Sequence, residues 1–544
     1  MAIPSAFPIL SIILLSPLVG LLIVMLLPKQ RNRWLQTAAV VTTLIPLVLS
    51  CWLYADFLNH HGDSSYEEQA TWVEMPLNKE AQQSNPTEYK LILQYALGID
   101  GLSLALVLLT SLITAMAALA SVFVKKRWKA FYAWFLVLET GMLAVFLARD
   151  LMLFFVGFEL TIIAMYFLIG IWGFYNRERA ANQFLLYNGL GSALMLIAFV
   201  ILINTAGFRI EQSGDALSFI YSGSYSDITR NLADPSAWVN LSPELTGGVN
   251  PFLMSDAMGW TLFILLMTTF AIKLPLFPFH TWMLKVHAEA PPSIVMIHSG
   301  ILLKMGAYGM IRFGILLFPE QAKSWAAVLA VLGLINLLYG AVIAFRQTEL
   351  KLVLAYSSIS HMGIALLGLA AFNETGLQGA VFQLVSHGLI SALLFLIVGS
   401  LYERTKTTDL KELGGLARPL PFIAGVMLAA GLASLGLPGL SGFVGEFLSL
   451  LGLFDAYPGI AAASVIGIIL AAVYILRSVL RTTFGPLDEK YAALKDARLI
   501  EAIPMILLLA CIVLLGCFPS ILTDALGYST GTMIQSILAT RTGG

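Results

Sequence analysis

Charged residues are scarce in this 544-residue chain: Asp, Glu, Lys and Arg together make up 12% of it, and the formal net charge is −1. The chain therefore lacks the basic excess that is typical of nucleic-acid-binding proteins. Cys51, Cys511 and Cys517 lie in apolar segments without metal-ligand spacing, so we expect buried free thiols and no metal site. No glycine-rich phosphate loop or haem-attachment motif is present, which argues against a cofactor or redox chemistry within the chain.

Apolar residues dominate instead, at 58% of the sequence. Long apolar runs recur along the whole chain, and most have close to the ~20 residues that a helix needs to cross a bilayer. We therefore predict an all-α polytopic membrane protein, embedded in the lipid bilayer, with about 14 transmembrane helices. The predicted spans are 5–27, 34–57, 98–122, 131–148, 151–174, 183–205, 258–282, 292–317, 324–345, 351–372, 376–401, 420–452, 461–482 and 501–521.

The distribution of basic residues supports this number of spans. One set of alternate connections carries 21 of the 31 Lys and Arg residues, whereas the other set, with the C-terminal tail, carries 7. Because cytoplasmic loops accumulate Lys and Arg, we predict that the first set lies inside and that both termini lie outside. The long outer connections 58–97 and 206–257 are expected to be loops, the second with short helices, and 483–500 is expected to form a short amphipathic surface helix.

Two predicted spans are interrupted at matched positions, 258–282 at KLPLFP and 420–452 at GLPGLSGFVGE. A proline removes one helical hydrogen bond, and broken helices in corresponding positions of inverted halves indicate ion sites near the bilayer centre. We therefore predict inverted repeats of five spans each, 131–317 and 324–482. The flanking parts would be N-terminal helices in 1–130 and, in 483–544, an inner connecting segment, a last helix and a short tail.

Five charged residues are predicted near the middle of spans: Glu139, Glu159, Lys273, Lys304 and Glu446. Each charge at that depth costs about 2.5–3.5 kcal/mol, so all five need a function or compensating partners. Burial favours the neutral form of such a group, and a close opposite charge favours the charged form. A Lys–Glu pair that forms and separates can therefore take up and release a proton. The alternative is a set of static ion pairs that only fix helix packing.

Histidines extend this line of protonatable groups. His361 and His387 lie in consecutive spans, between Lys304 and Glu446 in the sequence. Histidine titrates near neutrality and can both donate and accept a proton, so the two residues suit a relay. Polar residues satisfied within the helix bundle are the alternative.

A second histidine cluster, with His280, His287 and His298, surrounds the first broken helix. No carboxylate–histidine spacing supports a metal site there, and His298 is a further possible proton carrier. Arg312, near the outer end of its span, could extend its side chain to the membrane surface.

Seven stretches together resemble one family closely: the antiporter-like membrane subunits of proton-pumping NADH:quinone oxidoreductase (complex I), which are related to subunits of multisubunit Na⁺/H⁺ antiporters. The resemblance covers about 100–480 and is strongest to the branch called subunit M or chain 4, because Glu446 stands where other branches usually carry lysine. The stretches are GIDGLSL, LARDLMLFFVGFELTIIAMYFLIGIWG, KLPLFPFHTW, HAEAPPS, GILLKMGAYG, AYSSISHMG and LPGLSGFVGEF.

The resemblance implies specific roles. Glu159 and Lys273 would form the ion pair of the first half, Lys304 would be the central proton carrier, and His361 and His387 would bridge to Glu446 at the end of the second half. Partners would be neighbouring membrane subunits of complex I. NADH, flavin, Fe–S clusters and quinone would be bound by other subunits, and redox energy released there would drive proton movement here.

One departure from the family pattern and two alternatives remain. The family often has Pro-Asp where this chain has Leu284–Lys285, which leaves the shape of the inner turn open. A subunit of a Na⁺/H⁺ antiporter without redox chemistry is one alternative function, although Glu446 argues against it. A structural scaffold, whose buried charges only pack helices, is the other.

Overall fold

The computed structural model describes residues 8–60, 62, 66–77, 87–213, 216–244 and 248–539. Within these ranges, 13 helices are long and apolar enough to cross a membrane, and the shorter apolar helix Pro421–Ser434 begins a further, interrupted span. The polytopic helical architecture with about fourteen spans is therefore confirmed. The first predicted span starts at residue 5, and its first three residues lie outside the described part of the chain.

The helices follow the predicted order, with both interruptions in place. They are α1 (Ile9–Leu26), α2 (Asn32–Asn59), α3 (Gly101–Ala120), α4 (Trp128–Leu147), α5 (Leu151–Trp172), α6 (Arg177–Asn204), α7 (Tyr225–Ala233), α8 (Asp256–Lys273), α9 (Thr281–Glu289), α10 (Pro292–Ile297), α11 (Leu303–Gly309), α12 (Pro319–Ser324), α13 (Ala326–Arg346), α14 (Leu350–Ala370), α15 (Glu374–Thr405), α16 (Pro421–Ser434), α17 (Ser441–Ala456), α18 (Pro458–Thr483), α19 (Leu499–Cys517) and α20 (Ser520–Ala539). Helices α10 and α11 belong to one continuous span, Pro292–Ile315, which contains two π-helical segments, His298–Leu302 and Met310–Ile315.

The two long connections, 58–97 and 206–257, contribute the strands of one β-sheet, which the sequence did not lead us to expect. Strands β1 (Glu67–Pro76) and β2 (Thr87–Gly98) come from the first connection, and β3 (Phe208–Ser213) and β4 (Ala216–Ser222) come from the second. The sheet order is β1-β2-β4-β3, and β2 and β4 pair in parallel. The prediction of two loops was wrong in these segments because each hairpin gains its neighbouring strand from the other connection. Helix α7 agrees with the short helices expected in the second.

The predicted short tail forms the 20-residue helix α20. Two further expectations are corrected. The connection between α18 and α19 contains only the 3₁₀ turn Glu489–Tyr491 rather than an amphipathic surface helix. The cysteines are free, but Cys51 and Cys517 are exposed and Cys511 is half-buried. An apolar neighbourhood in a membrane span does not imply burial in the protein, because the same composition suits a surface that faces lipid.

Glycines allow the helix that carries Glu446 to approach α15 closely. A Cβ atom at Gly379 of α15 would lie 2.3 Å from the backbone nitrogen of Ser449, and one at Gly445 of α17 would lie 2.8 Å from that of Gln383. Backbone atoms at such a distance cannot be displaced without moving a helix. Small residues at these contacts are typical of membrane helix packing, where no hydrophobic driving force between helices exists.

Replacing Gly379 by alanine is expected to separate α15 from α17 and to destabilise the fold by about 1–3 kcal/mol, the usual cost of overpacking. The measurement is thermal unfolding of the purified protein. Gly189→Ala in α6 is the matched control, because nothing lies within 4 Å of its added Cβ. An equal change in both variants would contradict the proposed role of close packing.

Candidate functional site

The first broken helix ends at Lys273, and other groups satisfy the backbone around the break. The Phe277 N–H donates to Asn336 Oδ1 over 2.7 Å, and Trp282 Nε1 donates to the Ile272 carbonyl over 3.1 Å. These bonds replace the helical bonds lost between α8 and α9, as a break within the bilayer requires. Lys273 is thereby held at the last position of α8 and is 1% exposed.

The Lys273 ammonium and the Glu159 carboxylate do not form a direct ion pair in this structure. Lys273 Nζ has no hydrogen-bond partner among the described residues and lies 4.6 Å and 5.6 Å from the ring centres of Phe158 and Phe184. Glu159 itself is only half-buried on α5. The implied pair is therefore separated here, with an aromatic face beside the cation.

Glu139 lies on α4, which packs against α5, and is completely buried. Neither of its carboxylate oxygens has a hydrogen-bond partner in the described part of the chain. A buried ionised carboxylate without partners is very costly, so Glu139 has no structural reason in these contacts to be a charged residue.

The structure brings Lys304 and His387 into contact. Lys304 lies in α11 and is completely buried between the two π-helical segments. Its Nζ donates to the Ser299 carbonyl over 2.5 Å and lies 2.8 Å from His387 Nδ1 on α15. The π-helical turn at His298–Leu302 contains Ser299, so the local irregularity supplies one of the two partners of the lysine.

His361 continues this contact to Glu446. The ring centres of His361 and His387 are 5.4 Å apart, and His361 Nδ1 lies 3.4 Å from Glu446 Oε1. Gln383 Nε2 lies 3.2 Å from the same His361 nitrogen. Lys304, His387, His361 and Glu446 therefore form a row of neighbouring protonatable groups across α11, α15, α14 and α17. We call these four residues the central row.

Two histidines lie on the other side of Lys304. His287 Nε2 and His298 Nδ1 are 2.9 Å apart, and both rings are completely buried. The ring centre of Phe184 lies 6.1 Å from that of His298 and 5.6 Å from Lys273 Nζ, so His298 lies near the first half as well as near Lys304. His287 was not among the proposed proton carriers. The sequence contains no indication of this contact. His287 lies fourteen residues after Lys273 and beyond the break, so helical periodicity does not relate the two positions.

A further charged cluster lies at the end of the bundle that carries the β-sheet, and the sequence analysis did not predict it. Asp100 caps α3 by accepting from the Ser103 N–H over 2.9 Å, and its other oxygen accepts from Arg149 over 3.2 Å and from Arg312. Arg312 is 5% exposed, so the idea that it extends to the membrane surface is wrong. Burial acts to raise the pKa of the Asp100 carboxyl, but the two guanidinium groups outweigh it and hold that pKa well below its usual range.

The central row can carry protons. Each member can hold a proton in one state and release it in another, and imidazole can donate from one nitrogen while accepting at the other. No group in the row needs to move far, since successive members lie within hydrogen-bond or ring-contact distance.

Comparison with known proteins gives concordant results. Residues 148–473 match the family described as NADH:quinone oxidoreductase/Mrp antiporter, TM. The chain is 33% identical to NADH-quinone oxidoreductase subunit M of Rickettsia typhi, with 97% of this chain and 99% of the relative covered. It is 35% identical to subunit M of Rhodobacter capsulatus, with 97% and 96% covered.

Solved structures agree with these relatives. A chain of respiratory complex I from Thermus thermophilus superimposes with a TM-score of 0.79 at 28% identity, covering 96% of this chain and 99% of that chain. A chain of the Mrp complex from Dietzia sp. superimposes with a TM-score of 0.77 at 20% identity, covering 97% and 99%. The second likeness is evidence of a shared fold alone.

The cluster of Asp100, Arg149 and Arg312 is expected to stabilise the fold. Asp100→Asn leaves Arg312 buried without its counter-charge and should lower the free energy of unfolding by about 3 kcal/mol. Asp488→Asn is the control, since its partner Lys490 and its own side chain are both about half exposed and the pair is screened by water. Thermal unfolding of the purified protein measures both, and equal small effects would contradict a structural role for Asp100.

Proposed function

The chain belongs to the NADH:quinone oxidoreductase/Mrp antiporter family of membrane subunits, and we propose that it is the proton-translocating subunit M of a respiratory NADH–quinone oxidoreductase. It would be an enzyme only as part of that complex, with no redox centre of its own. NADH, flavin, Fe–S clusters and quinone would be bound by other subunits. Its partners would be further membrane subunits, including neighbouring antiporter-like ones.

The central row is the observation that carries this proposal. Its continuity from Lys304 through His387 and His361 to Glu446 is what a subunit needs if electron transfer elsewhere is to drive proton movement within it. We assign Lys304 as the central carrier and Glu446 as the terminal group of the second half. His387 and His361 pass protons between them.

The first half would supply protons to the row. We propose that Lys273 and Glu159 approach and separate during turnover, since a separated pair releases a proton that a close pair retains. His298 would connect Lys273 to Lys304, with His287 as its hydrogen-bonded partner. Glu139 would be a neutral reserve carrier beside α5.

The orientation and the division of the chain complete the proposal. The basic connections would face the cytoplasm of a bacterial or equivalent energy-coupling membrane, with both termini outside. The ranges 131–317 and 324–482 would act as the two inverted transport units, between the flanking parts 1–130 and 483–544. A Na⁺/H⁺ antiporter subunit remains the alternative, but the relatives named subunit M at 33–35% identity do not favour it.

Replacing Lys304 by alanine in the assembled complex is expected to reduce proton pumping per NADH several-fold, because the row loses its central carrier. NADH:quinone reductase activity, Fe–S and flavin absorbance of the purified complex, and pumping in proteoliposomes are measured together. Lys323→Ala, at the end of the short outer helix α12, is the control. Undiminished pumping by a fully assembled complex would contradict the proposed role of Lys304. Sodium-dependent exchange by a preparation without redox centres would support the antiporter alternative.

Gly436 gives a more selective test of Glu446. A Cβ at Gly436 would lie 2.4 Å from Glu446 Oε2, so alanine there should push the carboxylate away from His361 and reduce pumping. Gly439→Ala is a matched control: its φ is also positive, +91° against +78°, but nothing lies within 4 Å of its added Cβ. Both variants share the backbone strain. Only Gly436→Ala should lower pumping beyond that shared effect, and equal losses would argue against a role for the carboxylate position.

A further inference from the structure

The ion cluster of Asp100, Arg149 and Arg312 contains more positive than negative charge. One oxygen of the Asp100 carboxylate contacts both guanidinium groups, that of Arg149 over 3.2 Å and that of Arg312 as well. Among the residues that the structure describes, neither arginine forms an ion pair with a second carboxylate. Two positive charges therefore share one negative charge, and the cluster keeps a positive excess.

Arg312 has hydrogen-bonding capacity that the cluster does not use. A guanidinium group has five N–H donors, and the Nε–H of Arg312 has no partner in the described part of the chain. The residue is only 5% exposed, so bulk water does little to screen its charge. The Tyr308 ring centre lies 5.3 Å from Arg312 Cζ and stabilises the cation without balancing its charge. An oxyanion bound beside this guanidinium group would supply the missing counter-charge.

A cavity of about 340 Å³ lies beside the cluster, at the end of the bundle that carries the β-sheet. Arg312 and Asp100 both line it, together with Tyr225 and Thr229 of α7. Most of the remaining lining is apolar. These apolar residues include Leu232, Leu316, Leu317 and Met533. The cavity thus combines a cationic side chain with an apolar wall.

The size and charge of this cavity restrict the kind of ligand that fits it. Small-molecule sites in proteins usually have about 300–1,000 Å³, and this cavity falls within that range. The positive excess would repel a cationic ligand, whereas the fork of N–H donors on a guanidinium group matches the oxygens of a phosphate group. Inorganic phosphate and phospholipids both carry such a group. The apolar wall would additionally accommodate the first carbon atoms attached to a lipid phosphate.

We propose that this cavity binds a phosphate group, either free in solution or as part of a phospholipid, with Arg312 as its main cationic contact. The bound phosphate shares the positive charge of Arg149 and Arg312 with Asp100. None of the described lining residues belongs to the central row, so the site is independent of the proposed proton path. Binding involves no bond formation or cleavage.

Thermal unfolding of the full-length chain, purified in an uncharged detergent, tests for the ligand. Inorganic phosphate should raise the unfolding temperature by several degrees more than chloride at the same pH and ionic strength, because a ligand that binds only the folded state stabilises it. If the source is a lipid, phosphatidylglycerol should produce this rise and inorganic phosphate should not. Diacylglycerol, which lacks phosphate, should have no such effect. If phosphate matches chloride and phosphatidylglycerol matches diacylglycerol, the cavity is not a phosphate site.

Asp100→Asn should give a result that a purely structural cluster would not give. The substitution removes the only carboxylate paired with Arg312 in the described chain, so the ligand-free variant should unfold at a lower temperature. The same loss of negative charge should strengthen phosphate binding several-fold and enlarge the upward shift caused by the phosphate source. Asp488→Asn, whose pair with Lys490 is half exposed, is the control and should show the wild-type shift. A shift in Asp100→Asn no larger than that of the wild type would contradict the site.

Ala233→Phe tests the cavity without altering the cluster. Ala233 is exposed at the end of α7 and lines the cavity, so a phenyl ring there should occupy part of its volume. The ligand-free variant should keep its unfolding temperature, and the shift caused by the phosphate source should be lost. Ala130→Phe, at an exposed position in the first turn of α4, is the matched control and should keep the shift. Equal shifts in the two variants would place the phosphate elsewhere on the protein and overturn the proposal.

Discussion

The cost of placing Lys304 in the interior of a membrane protein shapes the structure around it. An ammonium group at that depth must be bonded or neutral, and the fold meets this requirement with one backbone carbonyl and one imidazole. The carbonyl comes from a π-helical turn, and the imidazole comes from α15, the longest helix in the described chain. Three elements must therefore fit together at this one point before the charge can be tolerated.

Packing of this precision depends on small residues rather than on large ones. Gly379 and Gly445 bring α15 and α17 together, and Gly436 leaves room for the Glu446 carboxylate. In a bilayer, helices gain little by hiding apolar surface from each other, so close backbone contact and interhelical polar bonds hold the bundle. The same contacts set the distances within the central row. Stability and proton chemistry are consequently linked through the same helix pairs.

Not all buried charges serve the same purpose. Asp100, Arg149 and Arg312 form a compact ion cluster in which one carboxylate contacts two guanidinium groups. Lys273 and Glu139, in contrast, are buried without hydrogen-bond partners in the described chain. A paired cluster fixes helix ends, whereas Lys273 and Glu139 have no bonded counter-charge that would hold them in the charged form. The two sets of buried charges therefore differ in their partners rather than in their burial.

The sequence by itself determined the membrane class, the number and order of the spans, the two broken helices and the residues of the central row. Hydropathy and buried charge are local properties, so the chain displays them directly. Only the tertiary structure decided which groups meet: that Lys304 contacts His387, that Lys273 faces Phe158 rather than Glu159, and that β2 pairs with β4 across more than a hundred residues. Such contacts depend on helix rotation and strand pairing between distant segments. Those are fixed by packing, which no local pattern encodes.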